Sequence, residues 1–338
     1  MSLTSLLASR KDFRHALRDT LTPPPAPIFP VQMQLPLTTN YGTVGTGFDY
    51  LLRALLERGL PAGQVQTGAL VAGLAPHMSS GRRAAAAARS LELAEQVFRA
   101  FISNELPIGR QVARACLVLA KLEAVLRSGE LHYLDSVEEI AELDIQDLLA
   151  LLDLVPLEQF NLHRRLVLNP VFKLARLVGG ADADLLLDDT LIEIKTTKIP
   201  KLTNAYLYQL VGYLLLNNLG GIRDTEETPI RRLGVYFARH GLLHTFSVAD
   251  LFSTGGYDDL QLWFALMLNG KENEQPDLSV YRFIKEKAAR RKKTVESAVK
   301  TVGQRRVRPP PATVPITVVD YADYLAASRR LERERLEH

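Results

Sequence analysis

The chain has little of three things that would narrow its class at once: cysteine, long apolar runs and net charge. Its 338 residues include one cysteine, Cys116, so an internal disulfide is excluded and nothing indicates an oxidising compartment. No apolar run is long enough to span a bilayer, and the N-terminal segment returns to charge too soon for a signal peptide. These absences predict a cytoplasmic protein with no membrane association.

The composition indicates a globular protein with a full core. Hydrophobic residues make up 47% of the chain and charged residues 23%, which excludes the disordered and collagen-like classes. A net charge of +3 is too small to indicate nucleic acid by itself. Gly42, Gly45 and Gly47 lack the spacing of a phosphate-binding loop, and we interpret them as a flexible start to the first long helix.

Four regions can be separated along the chain. Residues 1–42 read as an N-terminal arm with a short helix and a proline-rich stretch, laid over the surface. Residues 43–160 look almost wholly helical and predict a supporting region, which leaves open a homo-oligomer or a protein partner docked there. Residues 161–275 hold the predicted core, and residues 276–338 hold a basic helix, a proline linker and a final helix.

The core region alternates strands and helices. Period-two and period-3.6 patterns predict the following elements. They are strands at 165–168, 182–187 and 191–196, a helix at 203–219, strands at 232–238 and 243–248, and a helix at 258–268. In the preceding region we expect helices at 82–102, 108–127 and 136–153. This order predicts an α/β (α+β) fold, with a small mixed β-sheet flanked by helices and preceded by a large helical region.

The segment from Gly179 to Lys198 carries the candidate site. Asp188-Asp189 lies between two apolar runs, where a two-residue hairpin turn is expected. With that turn, Asp184 falls opposite Glu193, and Asp182 falls opposite Lys195. All four side chains would then share one face, because strand side chains alternate with period two.

Two carboxylates set directly across a ladder repel each other, and a divalent cation removes that cost. Mg²⁺ prefers oxygen ligands, and Mn²⁺ is the alternative ion. Asp184, Glu193 and the carbonyl of Ile194 would supply oxygens, with Asp182 as an alternative to Asp184. Lys195 would orient a water molecule or stabilise charge on a phosphate. The competing interpretation is a solvated hairpin face on which Lys195 pairs with Asp182.

These residues carry a family resemblance. Asp184, eight intervening residues and then Glu193-Ile194-Lys195 resembles two motifs of the PD-(D/E)XK nuclease superfamily. Gln209 and Tyr213, four apart on the next predicted helix, resemble the Gln-x-x-x-Tyr motif of its RecB-like branch. The resemblance covers about residues 160–250 and does not extend to the helical region.

The resemblance implies a restriction-endonuclease-like core that hydrolyses phosphodiester bonds of DNA in preference to RNA. Asp184 and Glu193 would bind the metal, Lys195 would be the catalytic lysine, and Gln209 and Tyr213 would position substrate. Roles in bacterial defence or DNA processing suit this superfamily. Members often carry a further acid or histidine on the helix before the first strand, for which this chain offers Glu158 and His163.

A basic stretch near the C-terminus is the other candidate for contact with nucleic acid. We expect phosphate contacts from five of its residues, Lys285, Arg290, Arg291, Lys292 and Lys293, although such a run is equally typical of a solvated helix. Arg239, at the end of a predicted strand, could likewise contact phosphate or be an ordinary residue of the loop between two strands. The rivals to an enzyme are a catalytically silent module of the same fold that binds nucleic acid, and an interaction protein with no such affinity.

Overall fold

The computed structural model describes residues 2–30, 33–68, 70–160, 165–226, 229–252 and 256–269. Its centre is a sheet of six strands in which each strand neighbours the next one along the chain. The strands are β1 (Val65–Thr67), β2 (Leu166–Leu168), β3 (Leu185–Leu187), β4 (Thr190–Lys195), β5 (Arg232–Phe237) and β6 (Leu242–Ser247).

The sheet is mixed. Strands β1 and β2 run parallel, as do β4 and β5, and the other three pairs are antiparallel. The predicted mixed sheet of an α+β protein is therefore confirmed. Strand β1 was not predicted: it has three residues, none of them fully buried, so it lacks the apolar alternation that marks a strand.

One face of the sheet is covered by α1 (Leu3–Ser9), α2 (Lys11–Thr20), α7 (Asn204–Gly220) and α8 (Gly256–Asn269). Helices α1 and α2 contribute fully buried side chains to this layer, among them Phe13, which packs on Trp263 with ring centroids 5.8 Å apart. These two helices are thus part of the core rather than a surface arm. Helix α7 is apolar on nearly every side because it lies between the sheet and the other helices.

The opposite face is covered by α3 (Tyr41–Arg58), α4 (Gly81–Ile102), α5 (Arg110–Ser128) and α6 (Glu142–Leu152). Helices α4 and α5 lie within two residues of their predicted bounds. Helix α6 begins six residues later than predicted, because residues 137–141 form a turn and an irregular segment instead of helix. The glycines at 42, 45 and 47 lie inside α3, so their interpretation as a flexible segment was wrong.

The predicted hairpin is present, with Asp188-Asp189 at its turn. Leu187 pairs with Thr190 and Leu185 pairs with Ile192, which is the predicted register. Asp188 takes a positive φ of 50°, a conformation that aspartate tolerates better than most residues. All three residues of β3 are buried, because helices cover both faces of the sheet.

A buried ion pair joins the α6 side to the end of β5. The guanidinium of Arg239 donates to both carboxylate oxygens of Asp147 at 2.9 and 2.8 Å. The side chains are 2% and 0% exposed, so Arg239 is a structural residue and not a phosphate contact. Across the described ranges, no helix combines the length and the apolar character that crossing a membrane would need.

Candidate active site

The predicted pair Asp184 and Glu193 lies where the hairpin ladder stops. The last ladder pair is Leu185 with Ile192, and Asp184 instead accepts a hydrogen bond from the backbone N–H of Ile194 at 2.6 Å. The strand alternation also breaks here, since Ala183 and Leu185 pack into opposite core layers. Asp184 is therefore bonded to β4 directly beside Glu193.

Asp182 does not take its predicted place opposite Lys195. It pairs with Val171 in an isolated bridge, and it is exposed to solvent. The register beyond Leu185 is lost because the chain leaves the ladder at Asp184. The prediction that Asp182, Asp184, Glu193 and Lys195 share one regular strand face was wrong for Asp182.

Glu193 is buried against α7 and paired with the predicted lysine. The ammonium of Lys195 donates to Glu193 Oε1 at 2.7 Å and to Gln209 Oε1 at 3.3 Å. The Glu193 side chain is 7% exposed and that of Lys195 is 22% exposed. A solvated hairpin face, with Lys195 paired to Asp182, does not describe this arrangement.

Gln209 and Tyr213 both lie behind this pair. Gln209 Nε2 donates to Glu193 Oε1 at 2.8 Å and to the hydroxyl of Tyr213 at 2.9 Å. Tyr213 stacks on Phe172 with ring centroids 5.2 Å apart. Because Gln209 and Tyr213 are 8% and 4% exposed, their contacts orient Glu193 and Lys195 rather than line an open surface.

Helix α3 brings a further acid that the sequence analysis missed. A Cβ atom on Gly45 would lie 2.6 Å from Thr196 Oγ1, so glycine lets α3 pass close to the end of β4 without displacing the Thr196 side chain. Asp49 follows one helical turn later, where its charge acts on both Asp184 and Glu193. Its partner is Arg53, whose guanidinium donates to Asp49 from the next turn.

Burial perturbs the acids of this site strongly. Removal from water, with the charge of Asp184 adding to it, raises the pKa of Glu193 to about 8. Burial likewise raises the pKa of Asp49 to about 8 against the opposing charge of Arg53. Burial also raises the pKa of Asp184, although Lys195 opposes it.

Lys195 responds in the opposite sense. Burial alone would lower its pKa, but the carboxylates of Glu193 and Asp184 outweigh that effect, so the pKa of Lys195 is raised. The ammonium of Lys195 also lies 5.2 Å from the ring centroid of Tyr206. Lys195 is therefore held as a cation at neutral pH.

Carboxyl groups outnumber cations around the site. We define the carboxylate cluster as Asp49, Glu123, Asp182, Asp184 and Glu193. Within the described part of the chain, the cationic side chains whose charges act on these acids are Arg53, Arg127 and Lys195. Five carboxyls against three cations leave an excess of two negative charges when all are ionised, which one divalent cation would balance.

Two carboxylate oxygens of the cluster have no partner within the described part of the chain, namely Glu193 Oε2 and Asp49 Oδ1. A buried, unpaired carboxylate oxygen is costly, and a metal ion is a partner that would remove the cost. The donor set, all oxygen, fits Mg²⁺ or Mn²⁺. Among the residues described, no three acidic, histidine or cysteine side chains are already grouped around a common ion position.

The other predicted ligands are not brought here. Glu158 is exposed in a short turn at 157–160. His163 and the basic residues from Lys285 to Lys293 lie outside the described residues. Asp49, on a helix of the region preceding the core, is the acid from that region whose charge acts on Glu193 and Asp184.

One signal could have pointed to Asp49. It lies three and seven residues before Leu52 and Leu56, so it shares the buried stripe of α3 with them. An acid within such a stripe needs a partner, and Arg53 one turn later supplies only one.

Comparison of the chain with models of protein families, with curated proteins and with solved structures found no match.

Proposed function

We propose that this protein is a metal-dependent nuclease that hydrolyses phosphodiester bonds of DNA in preference to RNA. The observation that carries the proposal is the carboxylate cluster, with its excess of two charges and its unpaired oxygens on Glu193 and Asp49. Stability alone does not favour such a cluster, and perturbed acids of this kind concentrate at functional sites. The proposal includes a restriction-endonuclease-like core, and the order of elements along the chain, β2, β3, β4, α7 and β5, supports it.

Asp184, Glu193 and Asp49 would hold the metal through carboxylate oxygens, as the resemblance implies for the first two. The metal would lower the pKa of a bound water and stabilise negative charge on the scissile phosphate. Lys195 bonds Glu193, and Arg53 bonds Asp49, so two cations of the site are paired with proposed ligands. Because Lys195 stays protonated, it would act as a hydrogen-bond donor to the phosphate or the water and not as a base.

Gln209 would hold Glu193 and Lys195 in place during this step. Its amide donates to Glu193 and accepts from Lys195, and Tyr213 fixes the amide from behind. This arrangement makes Gln209 and Tyr213 positioning residues. Their effect on the reaction would pass through the two side chains that they orient.

The test is cleavage of linear, circular and single-stranded DNA, and of RNA, with Mg²⁺ or Mn²⁺. Glu193→Gln and Lys195→Ala should each reduce cleavage at least about a hundredfold, since each removes a group that acts on the transition state. Glu92→Gln is the control, because Glu92 is an exposed acid on α4. Thermal melts would show that all three variants fold.

Three outcomes separate the alternatives. Cleavage that disappears in both site variants and persists in Glu92→Gln supports the nuclease. Binding of DNA without cleavage under either metal would favour the catalytically silent module. The absence of both binding and cleavage would leave the interaction protein, with a partner docked on the helical region.

A further inference from the structure

An arginine lies at the solvent side of the carboxylate cluster. Arg127, in the last turn of α5, donates from Nε to Glu123 Oε1 at 2.8 Å and bonds the same oxygen through Nη2. The side chain of Arg127 is 67% exposed, whereas that of Glu123 is 3% exposed. A buried acid thus fixes the direction of an exposed guanidinium.

Surface ion pairs elsewhere in the chain are built differently. Arg110 begins the same helix and bonds Glu142, but there both side chains are more than half exposed. Such pairs contribute little to stability and need no buried partner. Burial removes Glu123 from water, which is unfavourable, and the attraction to an exposed cation offsets this only in part. Stability alone therefore does not explain why Arg127 is anchored in this way.

A series of side-chain contacts leads from Arg127 into the site. The second oxygen of Glu123 accepts from the hydroxyl of Tyr50 at 2.6 Å. The guanidinium of Arg53 lies 4.8 Å from the centre of the Tyr50 ring and donates to Asp49. The charges of Asp49 and Asp182 also act on Arg127 directly. Arg127 is thus within the electrostatic reach of the acids that we propose as ligands.

The exposed fraction falls from the rim of the cluster to its interior. Side-chain exposure is 67% for Arg127, 22% for Lys195 and 7% for Glu193. Among the described residues, Arg127 uses only Nε and Nη2, which leaves Nη1 with no bonded acceptor. A guanidinium that keeps free N–H groups at the mouth of an acidic site suits an anionic group of the substrate.

We propose that Arg127 binds a second phosphate of the nucleic-acid strand, next to the one that would be cleaved at Asp184 and Glu193. This subsite rests on the proposed function, because it assigns the helical region a contact with the same substrate. Arg127 holds the strand against the rim while the carboxylate cluster receives the scissile phosphate. The helical region is then part of the substrate-binding surface and not only a support.

The test compares Arg127→Gln with Arg110→Gln, measured by fluorescence anisotropy on a labelled DNA oligonucleotide over a salt series. The two arginines stand at opposite ends of α5, about 25 Å apart at the rise of an α-helix. Binding is measured with Mg²⁺ in the Lys195→Ala background, which keeps the carboxylates and prevents turnover. Arg127→Lys is a second variant that keeps the charge and loses the planar fork.

Arg127→Gln should weaken binding about tenfold, as expected for one charged hydrogen-bonded contact. It should also reduce the slope of log affinity against log salt by about 0.9 for duplex DNA. Arg127→Lys should keep most of the slope, and Arg110→Gln should change neither quantity. With Lys195 restored, Arg127→Gln should raise KM by a larger factor than it lowers kcat.

Equal losses of DNA affinity in Arg127→Gln and Arg110→Gln would mean that Arg127 attracts DNA only through its charge, and would overturn the subsite. The subsite would also be overturned if neither variant lost affinity, or if the parent did not bind DNA at all. The proposed function is judged separately. Binding that depends on Arg127 without cleavage in the parent protein would keep the subsite and reject the nuclease. Cleavage that is indifferent to Arg127 would keep the nuclease and reject the subsite.

Discussion

Two groups of charges stand out in this protein, one wholly buried and one that reaches from the interior to the surface, and they are built on opposite principles. In the Asp147–Arg239 pair, one anion meets one cation through two hydrogen bonds of 2.9 and 2.8 Å, and both side chains are almost fully buried. In the carboxylate cluster, five acids meet three cations, and Glu193 Oε2 and Asp49 Oδ1 have no partner among the described residues.

The difference distinguishes a structural role for the ion pair from the functional role that we propose for the cluster. A balanced, doubly bonded pair satisfies its own charges and joins α6 to the end of β5. An unbalanced cluster lowers the stability of the fold and persists where something else supplies the missing charge. Burial alone therefore does not identify a site; the ratio of anions to cations and the unpaired atoms do.

The largest effect on stability should come from breaking the balanced pair. Arg239→Ala leaves Asp147 buried without its cation, and we expect the free energy of unfolding to fall by about 3–5 kcal/mol. Urea denaturation measures this. The double variant Asp147→Leu/Arg239→Met, which removes both charges, should recover most of the loss. A single variant within about 1 kcal/mol of the parent would contradict the structural role.

Asp49→Asn should give the converse result in the carboxylate cluster. We expect cleavage to fall at least about a hundredfold, because a proposed metal ligand is lost. The free energy of unfolding should stay within about 1 kcal/mol of the parent, since asparagine still accepts from Arg53 and the cluster still holds more acids than cations. Asp135→Asn, at an exposed acid paired with Arg83, is the control. Retained cleavage in Asp49→Asn would remove Asp49 from the site.

The third effect is a pH dependence, of at most about 1.4 kcal/mol per pH unit, that only the unbalanced cluster should show. The pKa of Glu193 is raised from an ordinary value of 4.5 to about 8, so between these values the folded state binds more protons than the unfolded state. Stability from this group is thus present below about pH 4.5 and is lost as the pH rises toward 8.

The measurement compares the parent with Glu193→Gln in chelating buffer over this range. The stability of the parent relative to the variant should decrease with rising pH by at most about 1.4 kcal/mol per unit. Asp135→Asn offers a matched comparison: the hydrogen bond from Arg83 lowers the pKa of Asp135 below its ordinary 3.8, so its stability difference from the parent should stay flat over this range. A constant difference for Glu193→Gln would show that Glu193 is not a perturbed acid.

Much of the fold was predictable from the local pattern of residues. The period of the apolar residues placed α4, α5 and α7 and the strands β4, β5 and β6 within two residues of their bounds. The Asp188-Asp189 turn set the hairpin register correctly. Strand β1 and the change of course at Asp184 were missed, because a three-residue strand and a broken ladder have no periodic signal.

What the sequence by itself determined is the spacing of Asp184, Glu193 and Lys195 about one hairpin, together with the helix that carries Gln209 and Tyr213. These relations are local: a turn and a period bring the residues together. Only the tertiary structure decided that α3 passes the end of β4 at Gly45 and adds Asp49, and that α5 places Arg127 at the rim. Those contacts join residues far apart in the chain, and they depend on how whole helices pack against the sheet, which no local pattern specifies.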